Sequence, residues 1–168
     1  MTVTANNIVK AALDTLTIDS VDVGGTYAPL TVTIEVTRQD IVVEQFLTPI
    51  RSVITARNAT AATTLAEITL ANMAVVFQLP ASLIVSSSLT IDASSDRGNL
   101  TWVAVGKGGT APGASNANKR TFNFPLSRSN GTITTNLAKL EDGALPCEWV
   151  FLANATTGII GTITDSAA

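Results

Sequence analysis

The chain is expected to be mainly β. The predicted architecture is an antiparallel β-sandwich or partly closed barrel with one flanking α-helix at about residues 65–77. Three observations carry this. The sequence is rich in Thr, Val, Ile and Ala, and β-branched side chains suit a pleated, half-buried surface. The run LTVTIEVTR at 30–38 alternates strictly, with Leu30, Val32, Ile34 and Val36 on one face and Thr31, Thr33, Glu35 and Thr37 on the other. That period of two marks a sheet with one wet side. A single segment, TLAEITLANMAVVF at 64–77, has helical spacing instead.

The elements follow in order. ANNIVKAALDTL at 5–16 fits a helix through Ile8, Ala12 and Leu16, but the TIDSVDVGG that follows suits strand and turn. Residues 1–20 are therefore a candidate arm. IVVEQFL at 41–47 and IRSVITAR at 50–57 flank Thr48-Pro49. Proline cannot donate to a ladder, so 41–57 is predicted to be a hairpin turning there. Thr64 and Glu67 have the spacing of a capping box. Leu70, Met73, Ala74 and Phe77 then share a helical face, and Pro80 closes the helix. Short strands return at 82–92, 100–106, 120–126, 145–154 and 158–164. KGGTAPGASNANK at 107–119 is a Gly, Ala and Asn loop and a second candidate arm. No long repeat and no boundary divides the 168 residues, so a single domain is expected.

Composition excludes several chemistries. Histidine is absent and cysteine occurs once, at Cys147. A Ser-His-Asp triad, a Cys-His pair, a His-ligated metal and a zinc ribbon are thereby ruled out. The 10 basic and 13 acidic residues give a net charge of −3, and the pI is about 4.8. Tight phosphate binding needs clustered cations instead. The longest apolar runs, such as MAVVF at 73–77, cannot span a bilayer. MTVTANNIVK lacks the basic start and apolar stretch of a signal peptide, so synthesis in the cytoplasm is expected.

Charged residues make up only 14% of the chain, against about a quarter in a typical domain. Two explanations fit: surface polarity supplied by Thr, Ser and Asn, or a subunit that hides much of its surface in an assembly.

No motif for catalysis stands out. Glu35, Asp40 and Glu44 lie close in sequence, and Glu141-Asp142 is adjacent. A glycosidase needs two carboxylates across a cleft with an apolar wall, and no aromatic cluster flanks them. Glu141-Asp142-Gly143 has turn composition. Gly106-Lys107-Gly108-Gly109-Thr110 lacks P-loop spacing. The Asn-x-Thr sequons at Asn58, Asn99, Asn130 and Asn154 are what a Thr- and Asn-rich sequence produces by chance. Trp102 and Trp149 lie among Val, Ala, Phe and Leu, as core or interface residues would. Cys147 shares the apolar face of Trp149 and should behave as a small buried hydrophobe. Arg51 and Arg57 fall on the polar side of 50–57, where they would suit Glu35 on a paired strand or a second subunit. No enzyme activity, metal or cofactor is expected.

The order of the pieces carries a resemblance. VDVGGTYAPLTVTIEVT at 21–37 leads to IVVEQFLTPIRSVITARNATAATTLAEITLANMAVVF at 41–77. FNFPLSRSNGTITTN at 122–136 and LPCEWVFLANATTGIIGTITD at 145–165 follow. This series resembles the major tail tube proteins of long-tailed bacteriophages. The matching positions are Val43, Glu44, Gln45, Pro49, Thr64, Leu65, Ala66, Glu67, Phe124, Pro125, Leu145, Pro146, Trp149 and Gly161. The resemblance spans about residues 21–165.

It implies hexameric rings joined edge to edge around a lumen. It also implies head-to-tail stacking through a long hairpin or loop and the termini, and passage of DNA during infection. Implied partners are copies of the chain itself, tape measure, terminator and baseplate proteins and, in a contractile tail, a sheath. DNA is only passing cargo, no membrane is involved, and the location is the virion tail. On this basis Thr31, Thr33, Glu35 and Thr37 are expected to face the lumen. Glu44, Arg51, Arg57 and Glu67 are expected at subunit or stacking contacts. The 65–77 helix is expected on the outer side of the sheet, and the 107–119 loop is expected to order on stacking. The alternatives are a baseplate or capsid decoration protein, a carbohydrate-binding module exposing a Trp, or a carboxylate hydrolase.

Overall fold

The computed structural model describes residues 13–42, 48–106, 119–130 and 143–165. The strands are β1 (Leu13–Ile18), β2 (Val21–Asp22), β3 (Thr31–Ile41), β4 (Arg51–Leu65), β5 (Ile84–Val85), β6 (Ser88–Leu89), β7 (Leu100–Gly106), β8 (Arg120–Ser129), β9 (Leu145–Phe151) and β10 (Thr162–Asp165); the one α-helix, α1, is Leu70–Val76. Eight strands form one antiparallel sheet in the order β2-β1-β7-β8-β9-β4-β3, with β10 also on β8. The mainly β expectation holds. The sheet does not close into a barrel. Just after β2, Thr26 bridges Leu65 at the end of β4.

Alternation builds the core. Leu145, Cys147, Trp149 and Phe151 on β9 are all buried, as their period predicts. They meet Leu16, Ile18, Leu100, Trp102, Ala104 and Phe124 in one cluster. Phe124 and Phe151 stack at 3.7 Å, and the two Trp rings lie 6.3 Å apart. Both Trp side chains are fully buried, so they are core residues. On β4 the residues opposite these aromatics are small: Ala61 pairs with Trp149 and Ala59 with Phe151. Large against small is how a core reaches native density.

The 120–126 strand runs on to Ser129 because β8 absorbs an irregularity at Pro125. Trp102 pairs with Phe124 and Leu100 with Ser127, leaving one extra residue on β8. A bulge is where a proline fits in a sheet. Ser127 Oγ, buried there, donates to the Leu100 carbonyl at 2.8 Å.

The helix starts later than the capping box suggests. Thr64 and Leu65 are the last residues of β4, paired with Pro146 and Leu145. Backbone bonds from Tyr27 N to Thr64 O and from Ala66 N to Gly25 O, each 2.9 Å, complete that end. With its backbone in a ladder, Thr64 cannot cap. Thr69 does so instead, its Oγ1 accepting from Asn72 N at 3.1 Å. Asn72 is buried, and its Nδ2 donates to the Val23 and Glu67 carbonyls. Val75 and Val76 belong to the core cluster. The helix therefore packs on the core face of the sheet.

Other expected strands are also corrected. Residues 82–92 contain a 3-10 turn at Ala81–Leu83 and the two-residue strands β5 and β6. Ser86 and Ser87 turn that hairpin with φ of 44° and 68°, the twist a tight hairpin needs. The last strand is only Thr162–Asp165. A Cβ on Gly161 would meet the Phe124 ring.

Candidate assembly surface

β3 and β4 pair over almost their whole length, from Thr31–Ala62 to Ile41–Arg51. The predicted hairpin at 41–57 is thus replaced by a longer one, 31–65, in which 41 ends one strand and 51 begins the other. Its inner part belongs to the body, where Ala59, Ala61, Thr63 and Leu65 are buried. The outer part is different. Residues 51–58 of β4 and 33–41 of β3 are exposed at every position, on both faces. Eight residues, 34–41, at ~3.4 Å each carry this ribbon about 27 Å. We call it the arm.

The arm's apolar content is high. Ile34, Val36, Ile41, Val42, Ile50, Val53 and Ile54 are exposed, seven of the twelve large exposed hydrophobic residues among those described. Ile34 and Val36 continue the core face of Val32, but the core ends before them. The period predicted one wet side; the arm has two.

β3 is also a terminal strand of the sheet. Its outer edge is unpaired among the described residues, and its 11 residues hold neither Pro nor Lys. Such an edge is a template for another strand.

The expected lumen residues Thr31, Thr33, Glu35 and Thr37 share one exposed face. Ala62, Thr60, Asn58 and Ala56 lie opposite them. Glu35 therefore faces Asn58, and Arg57 faces Val36 on the other side of the ribbon. The expected pairing of Glu35 with the two arginines is corrected. The register of the inner arm decides this, and farther out a bulge sets Thr37 and Arg38 opposite Ala56 and Ile54, leaving Thr55 unpaired in register. Thr55 Oγ1 donates to the Thr37 carbonyl at 3.3 Å. One inserted residue shifts the alternation, so Arg51 and Arg57 occupy opposite faces. Arg51 lies at the arm's outer end, opposite Ile41. Glu44 lies outside the described residues. Glu67 is exposed, far along the chain from the arm, beside Gly24.

Among the described residues the candidate chemistries find no geometry. Glu35 and Asp40 sit at odd and even positions of β3 and point to opposite faces. Glu141, Asp142 and residues 107–110 lie outside the described residues. Burial pushes the Cys147 thiol up to about 12, and its Sγ donates to the Thr63 carbonyl at 3.4 Å. A thiol held protonated is a poor nucleophile. Among the described residues no His, Cys, Asp or Glu group could hold a metal, and no helix is long and apolar enough to cross a membrane.

Sequence reasoning missed the exposed apolar set, Ile34 through Ile54. A signal was present in β4. Its inner half is alanine and threonine facing aromatics on β9, whereas its outer half, RSVI, has bulky residues and no aromatic partner.

No protein-family model matches the chain, and no curated protein matches it in sequence.

Proposed function

We propose that this chain is a structural subunit of a bacteriophage tail tube, built from stacked hexameric rings that conduct DNA. The observation that carries this reading is the arm. A two-stranded ribbon is marginal in water by itself, and apolar residues grouped on a protruding element mark an interaction site. An arm exposed on both faces has more to gain from a partner than from solvent. The open β3 edge gives neighbouring subunits a place to join side by side. The order of sequence pieces shared with tail tube proteins supplies the kind of assembly.

In this reading Thr31, Thr33, Glu35 and Thr37 face the channel. Small hydroxyls and a carboxylate do not grip phosphates, and six copies at −3 each put −18 on a ring, so DNA slides rather than binds. The role is mechanical, with no catalytic step, and its location is the virion tail.

Negative-stain electron microscopy of the concentrated protein tests the proposal. Hollow tubes or six-fold rings are expected; discrete monomers under all conditions would overturn it. The lumen assignment has its own test. Thr33→Lys with Glu35→Lys should slow DNA ejection from assembled particles, and unchanged assembly and ejection would remove it.

A further inference from the structure

The turn that ends α1 also closes a long loop. Gln78 N donates to the Val75 carbonyl at 3.2 Å and Leu79 N to the Ala74 carbonyl at 2.8 Å, the two bonds of a Schellman motif. Gln78 holds the left-handed position of that motif, with φ of 56°, where glycine is the usual residue. Its side chain accounts for the exception. Nε2 donates to the Gly98 carbonyl at 3.1 Å, and the Gln78 carbonyl accepts from Arg97 N at 2.8 Å. The chain thus leaves the body at Gln78 and returns to the same point at Arg97 and Gly98.

Nothing between these ends is built into the core. No residue from 80 to 99 is buried, whereas β9 buries four of its seven. The segment is ordered by its own bonds: β5 pairs with β6, Leu83 N donates to the Pro80 carbonyl, and Thr90 N donates to the Leu83 carbonyl. Among the described residues no backbone hydrogen bond joins 80–96 to the body. An open groove of about 500 Å3 runs along the seam, with Ile91 and Ala93 on one side and Phe77, Leu79 and Ser129 on the other. Two charged ties cross to the body. Arg97 Nε and Nη2 both reach Asp19 Oδ2, at 2.8 and 2.6 Å, and the Arg97 side chain is only 13% exposed. Asp19 is itself anchored, its N donating to the Thr101 carbonyl at 2.7 Å. The second tie, Asp96 to Arg128 at 3.8 Å, is half exposed on both sides, and such pairs contribute little.

We propose that residues 80–96 form a flap that opens from the body as one unit, with Arg97 on Asp19 as its catch. A segment with its own hydrogen bonds and no buried side chain is separated from the body by few contacts, and such segments open far more easily than the whole molecule unfolds. The catch is the strongest of those contacts, because a charge-assisted bond shielded from water outweighs an exposed pair. Opening widens the groove along Phe77 and Leu79. The body keeps its core throughout, since Val75, Val76 and the strands supply that core and residues 80–99 supply none of its buried members. The device is a property of the single chain and stands apart from the assembly reading above.

Hydrogen exchange of the full chain, read by mass spectrometry under native conditions, tests this. In wild-type protein the hydrogen-bonded amides of 83–90 should exchange together, with one common opening, and well ahead of those of β7 and β9. Arg97→Met should speed that flap exchange about tenfold and leave β7 and β9 unchanged. Gly98→Ala reaches the same base by another route. A Cβ there meets no atom within 4 Å, but φ is 79°, which disfavours a side chain in the closed state. It should speed flap exchange about fivefold or more, again with β7 and β9 unchanged. Flap amides as slow as those of β9, or flap amides that each exchange at an unrelated rate, would overturn the flap. Flap exchange at the wild-type rate in Arg97→Met would overturn the catch.

Discussion

Residues 59–65 and residues 51–58 belong to one strand but meet different surroundings. The inner half alternates buried and open positions, with Ala59, Ala61, Thr63 and Leu65 turned into the core. The outer half is exposed throughout, although it carries Val53 and Ile54. Both halves have the hydrogen bonds of the same β3–β4 ladder. Only the inner half also has β9 beside it and an aromatic core beneath it. Hydrogen bonding thus accounts for the strand, and side-chain burial accounts for where the body stops. Substitutions in the two halves should report on different properties: stability in one, association in the other.

The largest effect is expected in the body. Trp149→Ala should cost about 3–5 kcal/mol, the usual range for emptying a buried aromatic site, measured by urea unfolding of dilute protein. A loss below about 1 kcal/mol would mean that the Trp102–Trp149–Phe151 cluster does not hold the body together. Ala61→Leu should cost about 1–3 kcal/mol by crowding the same indole. The same enlargement in the arm, at exposed Ala56, should change stability by less than about 0.5 kcal/mol.

The helix start gives a finer contrast. Thr69→Ala should lose about 1 kcal/mol, because its hydroxyl caps α1. Thr64→Ala should lose less, since the Thr64 backbone rather than its hydroxyl is engaged. Equal losses in thermal unfolding would restore the earlier helix start.

Cys147 supplies a pH signature of the body. Burial pushes its thiol from an ordinary 9.0 up to about 12 in the folded state. A raised acid pKa means that the folded state binds the proton more tightly. Stability is therefore unaffected below about pH 9 and falls between about pH 9 and 12, with a limiting slope of about 1.4 kcal/mol per unit. Cys147→Ala should remove that part of the alkaline decline. Identical pH profiles for variant and wild type would contradict the burial of the thiol.

The sequence carried the body better than the arm. Leu145 through Phe151 showed its buried face by simple alternation, and the structure has the same face. Alternation says which side of a strand is apolar, but not where along the strand the covering layer ends. Ile34 and Val36 continue the period of Val32 and look like core residues until the neighbouring strands are known. The bulge at Thr55 was hidden for a related reason. An inserted residue leaves no composition mark, yet it put Arg51 and Arg57 on opposite faces of the arm. The capping box at Thr64 lost to pairing with Pro146 and to Tyr27, contacts distant in sequence. The apolar residues that make up the candidate surface were visible as residue types, and their exposure came only with the fold.

The most direct test is sedimentation velocity of wild-type protein beside a variant carrying Ile34→Thr, Val36→Thr and Ile54→Thr. These changes keep β-branched side chains in an exposed ribbon, so the thermal midpoint of the body should stay the same. Wild-type protein should sediment as long polymers, and the variant as nothing larger than a single ring. A variant that polymerises normally, or one that loses stability together with association, would contradict the division of the molecule into a self-sufficient body and an arm made for a neighbour.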